Sequence, residues 1–107
     1  MTDPYGANCI RMILELKSMY SSNFWASPHE FFYDGSLLNS GSDWALMPSK
    51  FEPGGIVQHE YFVGSTPVIA HKTGGLKDTV IEYDWKKKKG SGIVFDRHIT
   101  SELIKVI

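Results

Sequence analysis

Two glutamates, eight residues apart, are the residues of this sequence whose types and spacing could do chemistry. Glu52 stands in a loop-like stretch that begins at Pro48, and Glu60 falls in the second turn of the helix predicted to follow. At a rise of about 1.5 Å per residue, this spacing lets the two carboxylates bracket one ligand. Between them, Gly54 and Gly55 leave backbone N–H groups uncovered where the helix begins, and such groups suit a phosphate or a sugar hydroxyl. We therefore expect a diphosphate to fit between the glutamates.

A second glycine-rich segment, residues 72–79, contains Thr73, Gly74 and Gly75. It comes directly after an apolar run at 66–71 that predicts a buried strand. Loops that follow parallel strands lie at the same edge of a sheet, which is where ligands bind. We expect this segment to form a tight turn that meets the loop carrying Glu52.

The elements that must hold these loops follow from hydrophobic periodicity and turn residues. In chain order they are a helix at 6–20, an aromatic strand at 24–26, a short helix at 36–39, a strand at 44–47, a helix at 55–63, and strands at 66–71 and 92–95 before a last helix at 100–107. The alternation predicts an α/β fold, a mostly parallel sheet flanked by helices. The apolar run at 44–47 predicts an inner strand that is buried on both faces.

Composition excludes several classes of partner. The 107 residues carry a net charge of −1, which gives no basic field for nucleic acid, and the run Lys86–Lys89 is typical of a solvated loop. No apolar stretch reaches the about 20 residues of a membrane span. Cys9 has no partner for an internal disulfide and no metal-binding cluster around it, so we expect no metal site. A lone cysteine favours an intracellular, reducing compartment, with the cytoplasm preferred and an organelle left open.

The motifs resemble those of one enzyme family. The sequence P-S-K-F-E-P-G-G, followed by H-E, then S-T-P-V-I-A and K-T-G-G-L-K-D-T-V, is similar to the C-terminal lobe of glycogen and starch synthases, in register from about Asp34 to Phe95 and more faintly back to Tyr5. The resemblance implies a partial Rossmann-like lobe of the GT-B architecture that spans residues 1–107 as one domain. It also implies transfer of glucose from ADP-glucose or UDP-glucose to an α-1,4-glucan with retention, and no cofactor besides that donor.

The resemblance also assigns roles. Glu52 matches the glutamate that holds the donor glucose near the reacting carbon, and so becomes the candidate catalytic residue. Glu60 matches a second glutamate that commonly binds the nucleotide ribose, although an exposed helix carboxylate is as often merely solvated. The donor-binding positions it implies are Gly54, Gly55, Glu60, Thr73, Gly74 and Gly75.

The departures from the family pattern limit what the chain can do alone. The family usually has cysteine where Gly54 stands, and arginine near His71 and Lys72. The N-terminal lobe, and the basic residues that neutralise the diphosphate, are absent from these 107 residues. Because stabilisation of the departing diphosphate is a large part of such catalysis, we expect the isolated chain to be inactive.

Three hypotheses about function remain. In the first, the chain is part of a glycogen or starch synthase whose missing residues lie in the same polypeptide or in a companion chain. In the second, to which the initiator-like Met1 fits, it is a non-catalytic structural or accessory subunit of a larger assembly derived from a glycosyltransferase. The aromatic cluster Phe24, Trp25, Phe31, Phe32 and Tyr33 then favours an interface. The third, a free nucleotide-sugar-binding module, is disfavoured by the missing cations.

Overall fold

The computed structural model describes residues 3–28 and 35–107, which fall into two units, Met1–Tyr33 and Asp34–Ile107. In the first unit, helix α1 spans Pro4–Met19. The Asp3 carboxylate caps it by accepting the N–H of Gly6 at 2.9 Å, and Pro4 occupies the first turn, where its missing N–H costs nothing. The helix predicted at 6–20 is thus confirmed, with a start two residues earlier. Cys9 is half-buried on it.

The aromatic strand expected at Phe24–Ala26 is wrong. These residues lie in neither a helix nor a strand. A strand needs a neighbour that accepts its backbone hydrogen bonds. Within residues 3–28 and 35–107, strand pairing involves only residues further along the chain. Phe31, Phe32 and Tyr33 of the aromatic cluster lie outside the described residues.

The second unit is an alternating α/β structure, as the sequence predicts. Its elements are α2 (Gly35–Gly41), β1 (Ala45–Met47), α3 (Val57–Val63), β2 (Val68–His71), α4 (Gly74–Thr79), β3 (Gly92–Phe95) and α5 (Thr100–Val106). The three strands are parallel in the order β1-β2-β3, with Ala45 opposite Val68 and Val68 opposite Gly92. That one lobe comprises all of residues 1–107 stays a prediction.

The core lies on one face of this sheet. All four residues of β2 are buried because β2 is the central strand. Helices α3 and α4 cover Val68 and Ala70 with Tyr61, Phe62 and Leu76. The other face is less covered: Leu46 is 50% exposed. The prediction that residues 44–47 form an inner strand buried on both faces is therefore wrong, since β1 is an edge strand of the described sheet.

The turn expected at Thr73–Gly75 is wrong in part, because the two glycines open helix α4 instead. The fully buried Leu76 anchors this helix in the core. The hydroxyl of Thr79 donates to the carbonyl of Gly75 at 2.7 Å, within the same helix. Burial and this local bond therefore stabilise a helix that two glycines disfavour.

None of the helices in the described ranges is long and apolar enough to cross a membrane.

Candidate donor site at the carboxyl edge of the sheet

Two loops meet at the carboxyl ends of β1 and β2. The glutamate loop, residues 48–56, follows β1, and the glycine loop, residues 72–75, follows β2. The N–H of Gly75 donates to the carbonyl oxygen of Glu52 at 2.9 Å. A side chain at Gly74 would collide with that same oxygen, and one at Gly75 with the carbonyl oxygen of Gly54. The expected meeting of the two loops is confirmed, and it is a backbone-to-backbone contact that admits no side chain.

The carboxylate of Glu52 lies within its own loop. Glu52 is half-buried, and its Oε1 accepts the N–H of Gly55 at 3.2 Å. Gly55 can close this turn because it adopts a φ of +63°, which other residues rarely do. Helix α3 begins at Val57 rather than at the expected residue 55, so Gly54 and Gly55 belong to the loop. The expectation that Gly55 leaves its N–H uncovered for a ligand is wrong, because Gly55 is buried and the Glu52 carboxylate accepts that N–H. A single bond of 3.2 Å leaves the second carboxylate oxygen as an acceptor for a ligand hydroxyl.

Gln58 is a buried residue of α3 that packs against the glutamate loop at Gly55. It was not identified from the sequence. Its side chain is fully buried, and its amide lies where a Cβ on Gly55 would be. Its Nε2 donates to Thr79 Oγ1 at 3.0 Å, and that hydroxyl in turn donates to Gly75. Gln58 thus connects the glutamate loop to α4. Its position three residues before Tyr61, on the inward face of the predicted helix, was the signal that could have found it.

Gln58 also carries an uncompensated polar atom. Its Oε1 is buried and, among the described residues, no donor reaches it. A buried carbonyl without a donor is costly, so the bond from Nε2 to Thr79 must offset that cost together with the packing of the side chain.

Glu60 borders a cavity on the side of α3 that faces α2. The cavity measures about 450 Å³ and lies between α2 and α3. Its walls are Gly35, Ser36, Asn39, Ser40, Glu60, Val63 and Gly64. This volume falls within the range of small-molecule sites, about 300–1,000 Å³. Glu60 therefore has a ligand-sized space beside it, and whether it shares one ligand with Glu52 stays a prediction.

Thr73 sits at the point where the glycine loop becomes α4. Its N–H donates to the carbonyl of His71 at 2.8 Å, and its own carbonyl accepts from Leu76 at 3.0 Å. The structure thus brings Gly74 and Gly75 against the loop that carries Glu52, with Thr73 directly before them in the chain. In residues 3–28 and 35–107, no three histidine, cysteine, aspartate or glutamate side chains are grouped so that they could hold a metal ion.

Comparison with known proteins decides the family. The sequence model described as "Glycosyl transferases group 1" matches residues 34–107, which is more than half of the chain. The chain belongs to the glycosyl transferases of group 1. Both motif segments, 48–60 and 72–79, lie inside the matched region.

Relatives in this family include glycogen synthases. The chain is 61% identical over 46 residues to a probable glycogen synthase of Methanocaldococcus jannaschii, which covers 43% of this chain and 9% of that protein. It is 48% identical over 68 residues to the glycogen synthase of Petrotoga mobilis, covering 63% and 14%. The chain therefore spans less than a sixth of the length of either relative.

A solved structure shares the fold. The catalytic domain of starch synthase IV from Arabidopsis thaliana, bound to ADP and acarbose, superposes with a TM-score of 0.76 at 24% identity. The superposition covers 90% of this chain and 20% of that one. The fold is part of the Rossmann-like GT-B lobe that the sequence motifs imply.

Proposed function

We propose that this chain is the nucleotide-sugar-binding part of a glucosyltransferase of the glycogen and starch synthase type. The complete protein binds ADP-glucose or UDP-glucose and extends an α-1,4-glucan. The observation that carries the proposal is the contact between the two loops, in which the N–H of Gly75 holds the carbonyl of Glu52 at 2.9 Å. This contact fixes a glutamate at the edge of a parallel sheet where ligands bind.

In this proposal Glu52 holds the donor glucose. The oxygen that does not accept from Gly55 receives a sugar hydroxyl and holds the anomeric carbon next to the acceptor. Orientation of this kind lowers the barrier because the reacting atoms are already close when the donor binds. In the proposal the donor's phosphates and sugar lie beside Thr73, next to the close backbone contact that Gly74 and Gly75 make with the glutamate loop.

The nucleoside lies beside Glu60. The cavity of about 450 Å³ between α2 and α3 supports this placement. The ADP bound to the structurally similar starch synthase IV supports a nucleoside diphosphate as the class of ligand. A carboxylate suits a ribose because it can accept hydrogen bonds from two neighbouring hydroxyls. The donor is the only small molecule the proposal requires, and no cofactor takes part.

The chain alone does not turn over the donor. Group 1 relatives are several times longer than this chain, which covers 9% of one and 14% of another. In the proposal, the missing part supplies the second lobe, the glucan site and the cations that stabilise the leaving diphosphate. Its partners are therefore the missing lobe or companion chains, the nucleotide sugar and the α-glucan, and not nucleic acid.

The test is substitution of Glu52 in the complete protein. We expect Glu52→Ala to lower kcat at least about 100-fold, as loss of one preorganised polar group does at comparable sites. Glu52→Gln keeps the size and one acceptor oxygen, so it should retain more activity than alanine. The matched control is Glu15→Ala, an exposed carboxylate on α1, which should leave kcat unchanged. Unaltered turnover in Glu52→Ala would refute the proposal.

A second candidate is a structural or accessory subunit. The observation that favours it is the number of large apolar side chains that stay exposed in the second unit, such as Trp44, Leu46 and Trp85. The two candidates are separated by the intact mass of the natural chain and the mass of the particle that contains it. A parent polypeptide several times longer supports the transferase, whereas a 107-residue chain in a large assembly, tolerant of Glu52→Ala, supports the subunit.

A further inference from the structure

Two histidines lie where the three strands end. His71 is the last residue of β2 and is 8% exposed, whereas His98 is an exposed residue between β3 and α5. Their ring centroids are 5.1 Å apart, with the rings inclined at 61°. Neither residue has a role in the donor site described above.

Both rings contact the start of the glutamate loop. His71 Nδ1 lies 2.8 Å from the carbonyl oxygen of Ser49, and His98 Nε2 lies 2.7 Å from that of Pro48. These two residues follow β1 directly, beyond the last pair of its ladder. The histidines therefore satisfy carbonyls that the sheet leaves without donors.

The two contacts dictate how the rings are protonated. A carbonyl oxygen only accepts, so the nitrogen facing it must carry hydrogen. His71 must be protonated at Nδ1 and His98 at Nε2. For His71 this is the less common tautomer of a neutral imidazole, and the bond to Ser49 selects it.

The two residues before His98 form ion pairs. The Asp96 carboxylate lies 3.8 Å from the Lys72 ammonium. The Arg97 guanidinium donates to the Glu102 carboxylate of α5 at 2.8 Å, and this bond lowers the pKa of the Glu102 carboxyl. The ring of Phe95 packs on His71 at 5.5 Å. His98 can therefore reach across the end of β2 to the end of β1 from a held position.

We propose that His71 and His98 are positioning residues, which hold the carbonyls of Ser49 and Pro48 so that the glutamate loop presents Glu52 to the donor sugar. Ser49 lies three residues before Glu52, whose own carbonyl is held by Gly75. The loop is thus fixed at both ends of the segment that leads to the carboxylate. This inference rests on the proposed function for its effect on catalysis, but not for the contacts themselves.

The first test is nitrogen NMR of the histidine rings in the full 107-residue chain at neutral pH. We expect His71 to show a protonated Nδ1 and an unprotonated Nε2. The exposed His59 on α3 serves as internal reference and should show the average of both tautomers. A His71 ring protonated at Nε2 alone would contradict the bond from His71 to the carbonyl of Ser49, whether or not the protein is a transferase.

The second test compares matched variants in the complete glucosyltransferase. Asn has its amide nitrogen near the position of Nδ1, and Gln near that of Nε2, so His71→Asn and His98→Gln keep a donor. His71→Leu and His98→Leu remove it. We expect each leucine variant to lower kcat by about 10- to 100-fold, since small misplacements have such effects, with little change in KM for the donor. The amide variants should restore kcat to within about threefold.

The outcomes separate the possible failures. His98 is exposed, so loss of its ring should not unfold the chain, and full activity in His98→Leu would overturn its positioning role. An equal loss of kcat in His71→Leu and His71→Asn would overturn the positioning role of His71. If the unaltered complete protein transfers no glucose, the proposed function fails. The tautomer of His71 then still tests whether His71 holds the carbonyl of Ser49.

Discussion

Gly54 and Gly74 show at the scale of single residues why two glycines in one site are not equivalent. A Cβ at Gly54 would meet nothing within 4 Å, whereas one at Gly74 would strike the carbonyl of Glu52. Gly74 also has a φ of +45°. The structure thus has room for the cysteine that the related synthases usually carry at the position of Gly54. It has no room for any side chain at Gly74.

This difference predicts opposite effects of the same substitution. Gly74→Ala should lower the free energy of unfolding by about 1–3 kcal/mol or more, because it adds left-handed strain and forces the two loops apart. Gly54→Ala, the matched control, should change it by less than about 0.5 kcal/mol. Chemical denaturation of the two variants measures both values. A Gly74→Ala variant as stable as the unaltered chain would contradict the described contact between the loops.

At the scale of elements, the site depends on how α3 is joined to α4. The single cross-link between their side chains described above runs from Gln58 through Thr79 to the carbonyl of Gly75. Since Gln58 is fully buried, its amide has no water to replace Thr79 if that hydroxyl is lost. The glutamate loop lies directly on this amide, so the cross-link also supports Gly55.

We therefore expect Thr79→Val to destabilise the chain by about 1–3 kcal/mol, the cost of a buried donor left without an acceptor. Thr100→Val, at the exposed start of α5, makes the same chemical change without burial and should have little effect. Thermal unfolding of both variants gives the comparison. A loss no larger than that of the control would show that Gln58 does not need Thr79.

The sequence predicted the elements whose own residues carry a clear pattern, and it missed those whose formation only distant partners explain. The runs that became β2 and β3 are apolar and bounded by Gly, Pro or polar residues, so their positions follow from the pattern. Helix α4 begins with two glycines, each unfavourable in a helix by about 1 kcal/mol, so its pattern predicted only a turn. The burial of Leu76, which the sequence alone does not reveal, makes it a helix.

The same distinction holds for the site. Glu52, Gly54 and Gly55 lie within four consecutive residues and form a motif that the sequence alone shows. Gln58, His71 and His98 bond to residues 21, 22 and 50 positions away, respectively, so no local pattern points to them. Only the folded chain brings these supporting side chains to the loop.

At the scale of the whole molecule, the described residues cover one face of the sheet less than parallel sheets are normally covered. Leu46 of β1 is 50% exposed, and a groove of about 260 Å³ nearby is bordered by Trp44, Tyr83 and Trp85. The two glycogen synthases compared above are far longer than this chain. In the proposed function, the rest of the transferase covers this face.

We predict that Leu46→Lys weakens association of this chain with the rest of the protein, since it places a charge on an apolar surface that becomes buried. The stability of the separate chain should change by less than about 0.5 kcal/mol, because Leu46 is half exposed there. Ser101→Lys on the exposed side of α5 is the matched control. Co-purification or sedimentation of the assembled protein measures the difference, and normal assembly of Leu46→Lys would contradict this account.

The position of the nucleotide in the complete protein tests the central claim most directly. An experimental structure with ADP or UDP bound should have the diphosphate beside Gly54 and the side chain of Thr73, and the ribose within hydrogen-bonding distance of Glu60. A nucleotide bound away from both loops, at concentrations that saturate the protein, would contradict the assignment of this chain as the donor-binding part.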